Sequence, residues 1–291
     1  MHKYLRAIGF SKLNKSSELE TLMQEVITGY DRKSIVEMPM GRRFAEISKE
    51  FAPDCGICIC GEYNDNDEFH LDNYFPYLNG EQISTSEDVV IERHSDKESY
   101  IGACDDMRLE ISLIFHLINV AEYLKLGRNE GEEQKTSSVA LSALSIEGKI
   151  LLPVFKSADY AKEKQKRVQK RNAMIMAARN GDEEAIESLT VEDMDIYNEI
   201  SKRAQNEDIY SIVDNCFMPF GFGTDIYSIV ADITDCELIK NEMTGEELYR
   251  LSLTCNQISI DVCINSADLD GTPQAGRRFK GIIWLQGNVS F

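Results

Sequence analysis

Histidine and tryptophan are scarce in this chain of 291 residues, at four and one. None of His2, His70, His94 and His116 falls in an H-E-x-x-H or H-x-H arrangement, so the local signature of a zinc hydrolase is missing. The G-x-S-x-G nucleophile elbow, the G-x-x-x-x-G-K-[ST] phosphate loop and the G-x-G-x-x-G dinucleotide turn are missing too. These absences remove the commonest local marks of hydrolases, NTPases and dinucleotide enzymes. They leave no nucleophile to nominate, although a triad assembled from distant residues would leave no local mark.

Long apolar runs are also lacking. The most apolar stretch, Ile111 to Leu124, is broken by His116, Asn119 and Glu122, and it is shorter than the roughly 20 residues a membrane helix needs. The opening Met1-His2-Lys3-Tyr4-Leu5-Arg6-Ala7-Ile8-Gly9-Phe10 has no apolar core behind its basic residues, so no secretory signal is expected. Basic charge is in deficit, with 31 Lys and Arg against 50 Asp and Glu, a net charge of −19 and a pI near 4.7. Such a chain repels polyphosphate, which disfavours nucleic acid as a partner. Only residues 158–206 are close to neutral, so any basic patch belongs there.

What remains is an ordinary globular composition, 43% hydrophobic and 28% charged. At roughly 150 residues per domain this length suggests about two domains, which bury roughly three quarters of their unfolded surface. Eight cysteines at wide spacing read as reduced, mostly buried thiols of a cytoplasmic protein.

Leu19, Leu22, Met23, Val26 and Ile27 recur at helical spacing, which predicts an amphipathic helix over Ser16 to Thr28. Strand-like runs follow at Ser34 to Met40, Phe44 to Glu50, Cys55 to Tyr63, Glu68 to Tyr77 and Asp88 to Arg93. Asn64-Asp65-Asn66-Asp67 between two of them predicts a hairpin. Arg108 to Tyr123 reads as a strand with a helical or irregular tail, partnered by Ser137 to Phe155 around a turn at Gly148. From Ala158 the pattern becomes helical. Asn180-Gly181 is read as a stop, Asp182 as the cap of a short helix ending at Leu189, and Thr190 with Asp193 as the start of another. Strand periodicity returns at Ile226 to Thr234, Leu248 to Thr254, Ile258 to Ile264 and Gly281 to Phe291. A small sheet of this kind avoids open edges by closing into a barrel. The expected fold class is therefore α+β: an N-terminal antiparallel sheet with a packed helix (1–157), a helical connector (158–206) and a C-terminal OB-like small β-barrel (207–291).

The opening through Ser11, the block Asn180-Gly181-Asp182-Glu183-Glu184-Ala185-Ile186-Glu187 and the ending Gly276-Arg277-Arg278-Phe279-Lys280-Gly281-Ile282-Ile283-Trp284-Leu285-Gln286-Gly287 carry a resemblance. Across its whole length the chain resembles a clostridial (Firmicutes) domain-of-unknown-function family, number 3881. The resemblance implies a stand-alone cytosolic protein of about this length. It brings no activity and no site residues.

Four clusters carry possible chemistry. Cys55 and Cys58 form a C-x-x-C with His70 on the neighbouring strand, but a structural zinc site needs a second such pair, and Cys58 and Cys60 share one strand face as buried apolar residues do. Asn64 to Glu68 offers oxygens for a hard cation yet lacks the glycine and distal glutamate of a calcium loop, so it reads as an acidic turn. Lys162, Lys166 and Lys170 align on one helix face beside Lys164, Arg167 and Arg171, and read as a solvated face paired with the protein's own carboxylates. Arg277, Arg278 and Lys280 lie beside Trp284 in the expected barrel, where cations next to an aromatic suit oligonucleotide stacking, but the flanking glycines also fit a turn into the closing strand with Trp284 buried.

The expectation is thus a non-catalytic interaction or regulatory protein of the cytoplasm with a protein partner, no membrane association and no cofactor. The alternatives are a small-molecule-binding protein or enzyme using an interdomain cleft, and nucleic-acid binding through the barrel. Partner or ligand contacts are placed at Phe220, Phe222, Arg277, Arg278, Lys280 and Trp284.

Overall fold

Lys15 to Gly29 folds as the sequence asks. Helix α1 spans Ser16–Thr28 and turns Leu22, Met23 and Val26 inward. Glu18 accepts from the amides of Asn14 and Lys15 at 3.2 and 3.3 Å, and the Gly29 amide closes the helix on Glu25 O at 2.9 Å. These contacts satisfy backbone groups that a helix end leaves open. In this computed structural model the described residues are 2–93, 99–106, 108–109, 111–127, 133–134, 138–153, 166, 170–171, 173–203 and 215–291.

The strands after α1 form an antiparallel meander, β1 (Arg32–Glu37), β2 (Arg43–Ala52), β3 (Cys55–Tyr63) and β4 (Phe69–Leu78). Its turns use residues that tolerate a left-handed backbone: Asp54 has φ 59° and Asp67 φ 61°. Helix α1 lies against β2 and β3, which makes this the expected sheet with a packed helix.

The second sheet holds β5 (Val89–Arg93), β6 (Tyr100–Asp106), β7 (Ile111–Leu117), β8 (Glu133–Gln134), β9 (Ser138–Leu151), β10 (Cys216–Pro219), β11 (Ile226–Lys240), β12 (Glu247–Cys255), β13 (Ile258–Asn265), β14 (Leu269–Asp270) and β15 (Arg278–Ser290). Helix α2 (Val120–Lys125) follows β7, so the expected strand with a helical tail is present from Ile111, while Arg108 and Leu109 form a turn ahead of it. Between β9 and β10, residues 173–179 are helical and α3 covers Glu183–Arg203. Asp182 caps α3, its Oδ1 accepting from the amides of Glu184 and Ala185 at 3.0 and 3.2 Å. Thr190 starts no second helix. Its hydroxyl donates to Ile186 O at 2.8 Å, one turn back, and α3 runs through it.

Five strands close into a ring in which β11, β12, β13, β9 and β15 pair in that order and β15 returns to β11. All pairs are antiparallel except β13 with β9. The closed OB-like barrel therefore exists, but its fifth stave, β9, comes from upstream of the connector, so the ring is not contained in residues 207–291. β9 does not pair with β7 or turn at Gly148. It runs through Gly148, which stands opposite Gly281 of β15. A Cβ on either glycine would lie 2.5 Å from the Phe279 ring. The glycine marks a close approach rather than a turn.

A 3₁₀ turn over Lys3–Ile8, absent from the sequence expectations, buries Tyr4, Leu5, Ala7 and Ile8 against this barrel. Asn241 donates to Ile8 O at 2.7 Å and fixes the segment. β7 joins the barrel by a short parallel pairing with β15, and one continuous core runs through both sheets.

Candidate functional site

The barrel carries a surface hollow of about 420 Å³ lined by Glu147, Gly148 and Lys149 of β9, Ser228 of β11, Lys280, Gly281 and Ile282 of β15, and Phe220. Phe220 lies in the turn of the β10–β11 hairpin, where its amide bonds Ile226 O at 2.9 Å. Met218 and Phe220, two residues apart, project from the same side of the chain, and both are exposed. Phe222 at the tip is fully exposed. In the described residues β10 pairs only with β11. Lys149 forms an ion pair with Asp270 at 3.2 Å.

The expected contact residues divide here. Phe220 and Lys280 share the hollow and Phe222 is exposed two residues further along the same turn, whereas the other three serve the fold. Arg278 is buried and donates to Leu152 O at 3.1 Å, and Arg277 donates to Thr272 O at 3.0 Å. Trp284 is buried beneath the N-terminal segment. Tyr4 stacks on it with ring centroids 5.3 Å apart, and the rings of His2 and His116 lie 4.7 and 5.0 Å away. Its indole N–H donates to Asp225 at 2.6 Å. Burial raises the Asp225 carboxyl and that hydrogen bond lowers it, with burial the stronger influence. Burial also pushes His116 down to about 3, helped by nearby His2. Trp284 thus presents no face for a base to stack on.

The metal candidates also divide. Cys55 of β3 hydrogen-bonds Cys263 of β13, between the first sheet and the barrel, and that bond together with burial raises its thiol. Cys58 lies on the other face of β3, and His70 pairs with Glu62 at the far end of the hairpin, its Nε2 3.2 Å from Asn64 Nδ2. The C-x-x-C with His70 is not one site. Instead, Cys58, Cys60 and Glu46 gather, with ligand atoms all within 4.8 Å of one another. Glu46 stands directly opposite Cys60 in the β2–β3 register. Alternation along β3 already placed Cys58 and Cys60 on one face; Glu46 was hidden because only the pairing register brings it there. All eight cysteines are free thiols.

That cluster borders a cavity of about 130 Å³ where the two sheets meet, lined among others by Arg32, Ser48, Tyr77, Asn119, Glu122 and Lys125. Glu46 Oε2 accepts from the Ala121 amide at 2.9 Å at the start of α2. Burial raises Glu46 to about 7 against this hydrogen bond. A third hollow, about 410 Å³ and largely apolar, lies between Phe10, Leu13, Leu22 and Met243. Its carboxylates are engaged, Glu18 with the backbone before α1 and Glu246 with Ser11 and Asn265.

The acidic turn is closed on itself, Asn64 Oδ1 accepting from the amides of Asn66 and Glu68 at 2.9 Å and Arg43 pairing with Asp67 at 2.7 Å. In the basic stretch Arg171 pairs with Asp193 and Glu192 at 2.8 and 3.6 Å, while Lys166 and Lys170 are exposed. Lys162, Lys164 and Arg167, like His94, lie outside the described residues. No described helix is long and apolar enough to cross a membrane.

A family model described as a domain of unknown function from an E. rectale gene, DUF3881, matches residues 5–287. No curated protein and no solved structure matches the chain significantly.

Proposed function

Since the chain belongs to this family of unknown function, we propose from its geometry that it is a non-catalytic interaction module whose partner protein docks on the β10–β11 hairpin. The observation that carries this reading is the concentration of Met218, Phe220 and Phe222, all exposed, on one hairpin whose Phe220 lines the 420 Å³ hollow. Large apolar groups concentrated on one exposed element mark interaction surfaces, and buried aromatics supply most of the affinity when such a surface is covered. A net charge of −19 disfavours nucleic acid as the occupant. A cytoplasmic location fits the eight free thiols.

The test is a photo-crosslinking amino acid placed at Phe222 or Met218, and as a control at exposed Ile83, in cells that make the protein. A discrete protein adduct at 222 and 218 but not at 83 is expected. Adducts to nucleic acid, or none at either hairpin position, would overturn the reading.

The junction cavity invites a second reading, a small-molecule site between the sheets. At about 130 Å³ it is well below the ~300–1,000 Å³ of substrate pockets. Its size suits an ion with its water.

A further inference from the structure

We propose that Cys58, Cys60 and Glu46 form a three-ligand site for a zinc-class divalent cation, with the fourth coordination position opening on the junction cavity. The donor set is two soft sulfurs and one carboxylate, which favours zinc over calcium or magnesium. Ligands bonded to tetrahedral zinc at about 2.0–2.3 Å stand roughly 3.3–3.8 Å apart. Donor atoms already within 4.8 Å of one another need a closure of only about 1 Å to reach that geometry.

Three features around the donors fit a metal. First, the cluster sits on adjacent strands of a hydrogen-bonded sheet, so its backbone is rigid before any ion arrives. Second, the amides of Val120 and Ala121 hydrogen-bond the Glu46 carboxylate, the outer-shell support that orients a ligand. Third, the charges balance. Two thiolates, Glu46 and Glu122 bring four negative charges, and the cation with Arg32 and Lys125 brings four positive.

Binding forms two metal–sulfur bonds and one metal–oxygen bond and sends the displaced thiol and carboxyl protons to solvent. Affinity therefore rises with pH. Cys58 and Glu46 also line the cavity, so the remaining vertex faces a space able to hold water or a small anion. Cys55 is excluded from the set, since its thiol hydrogen-bonds Cys263 on the opposite side of β3.

The experiment is titration of the reduced, metal-stripped full chain with cobalt(II), followed by X-ray absorption of the zinc-loaded protein. One cobalt per chain with a thiolate-to-cobalt charge-transfer band, and two sulfurs per zinc, are the expected results. Failure to take up either metal, or uptake with no sulfur ligand, would overturn the site. Cys60→Ser and Glu46→Gln weaken binding by more than about tenfold, and Cys236→Ser leaves it unchanged. Equal binding by Cys60→Ser would overturn the assignment. If Cys60→Ser does not fold, the sulfur count in the unmodified chain decides alone.

Discussion

Gly148 of β9 and Gly281 of β15 stand opposite one another in the barrel wall, and the ring of Phe279 occupies the space both leave empty. Gly148→Ala drives a methyl to 2.5 Å from that ring. The ring is fully buried and cannot swing clear, so the substitution costs about 1–3 kcal/mol, the usual price of overpacking. Gly276→Ala, with open space around it but φ 86°, tests strain alone. Urea unfolding compares the two; no loss in Gly148→Ala would contradict the close approach.

Titration of two buried groups shapes acid stability in opposite senses. The His116 pKa in the folded protein is depressed to about 3, so below its unfolded value near 6.5 the unfolded chain binds the extra proton. Stability contributed by neutral His116 is then lost as pH falls from about 6.5 toward 3, at up to about 1.4 kcal/mol per unit. In the metal-free chain Glu46 is raised to about 7, so the folded form holds the proton longer, and that stability is lost as pH rises from its unfolded value through 7. His116→Phe is expected to flatten the acid limb of the stability curve and Glu46→Gln the neutral one. Denaturant midpoints from pH 4 to 8 provide the check.

Which parts of this molecule were legible in the sequence follows from how local their causes are. α1 and β3 form with the expected limits because periodicity and turn residues specify them over a few positions. The place of β9 was not legible, since its parallel partner β13 lies far downstream and leaves no local trace. Gly148 reads as a turn in the sequence because a glycine for a turn and a glycine for a ring look alike without the ring. Trp284 with Arg277 and Arg278 carried two readings, and burial under Tyr4 and His2 decides against the stacking one. Phe220 and Lys280 share a hollow because β11 pairs with β10 as well as with β15, which again only topology reveals.

Arg250 ties the first sheet to the barrel. Its guanidinium reaches Asp54 at 2.7 Å, Glu81 at 3.0 Å and Glu237 at 2.9 Å. Arg250→Met leaves three carboxylates facing one another, and a loss of about 1 kcal/mol is expected, because the partners are solvent-exposed. The deficit should shrink in molar salt, where repulsion among exposed charges is screened. A loss independent of salt would mean that alkyl packing, not charge, is the contribution.

Thiol reactivity separates the cysteines by depth. Cys216 and Cys236 are partly exposed, and the other six are buried. Burial raises Cys104 to about 12, which with its poor access keeps its thiolate scarce. A disulfide reagent at neutral pH is expected to modify at most two thiols quickly in the native protein and all eight after denaturation. Rapid modification of more than two would show that the barrel or the first sheet opens readily.

β15 pairs with β7, β9 and β11 at once. During synthesis, β7, β9 and β11 must therefore wait with open hydrogen-bonding edges until Arg278–Ser290 leaves the ribosome, whereas β1–β4 have every partner within a short stretch of chain. Such long-range closure is slow, and waiting edges invite pairing with other chains. The meander is positioned to fold first, and the barrel's late closure makes it the stage at which misassembly competes with folding.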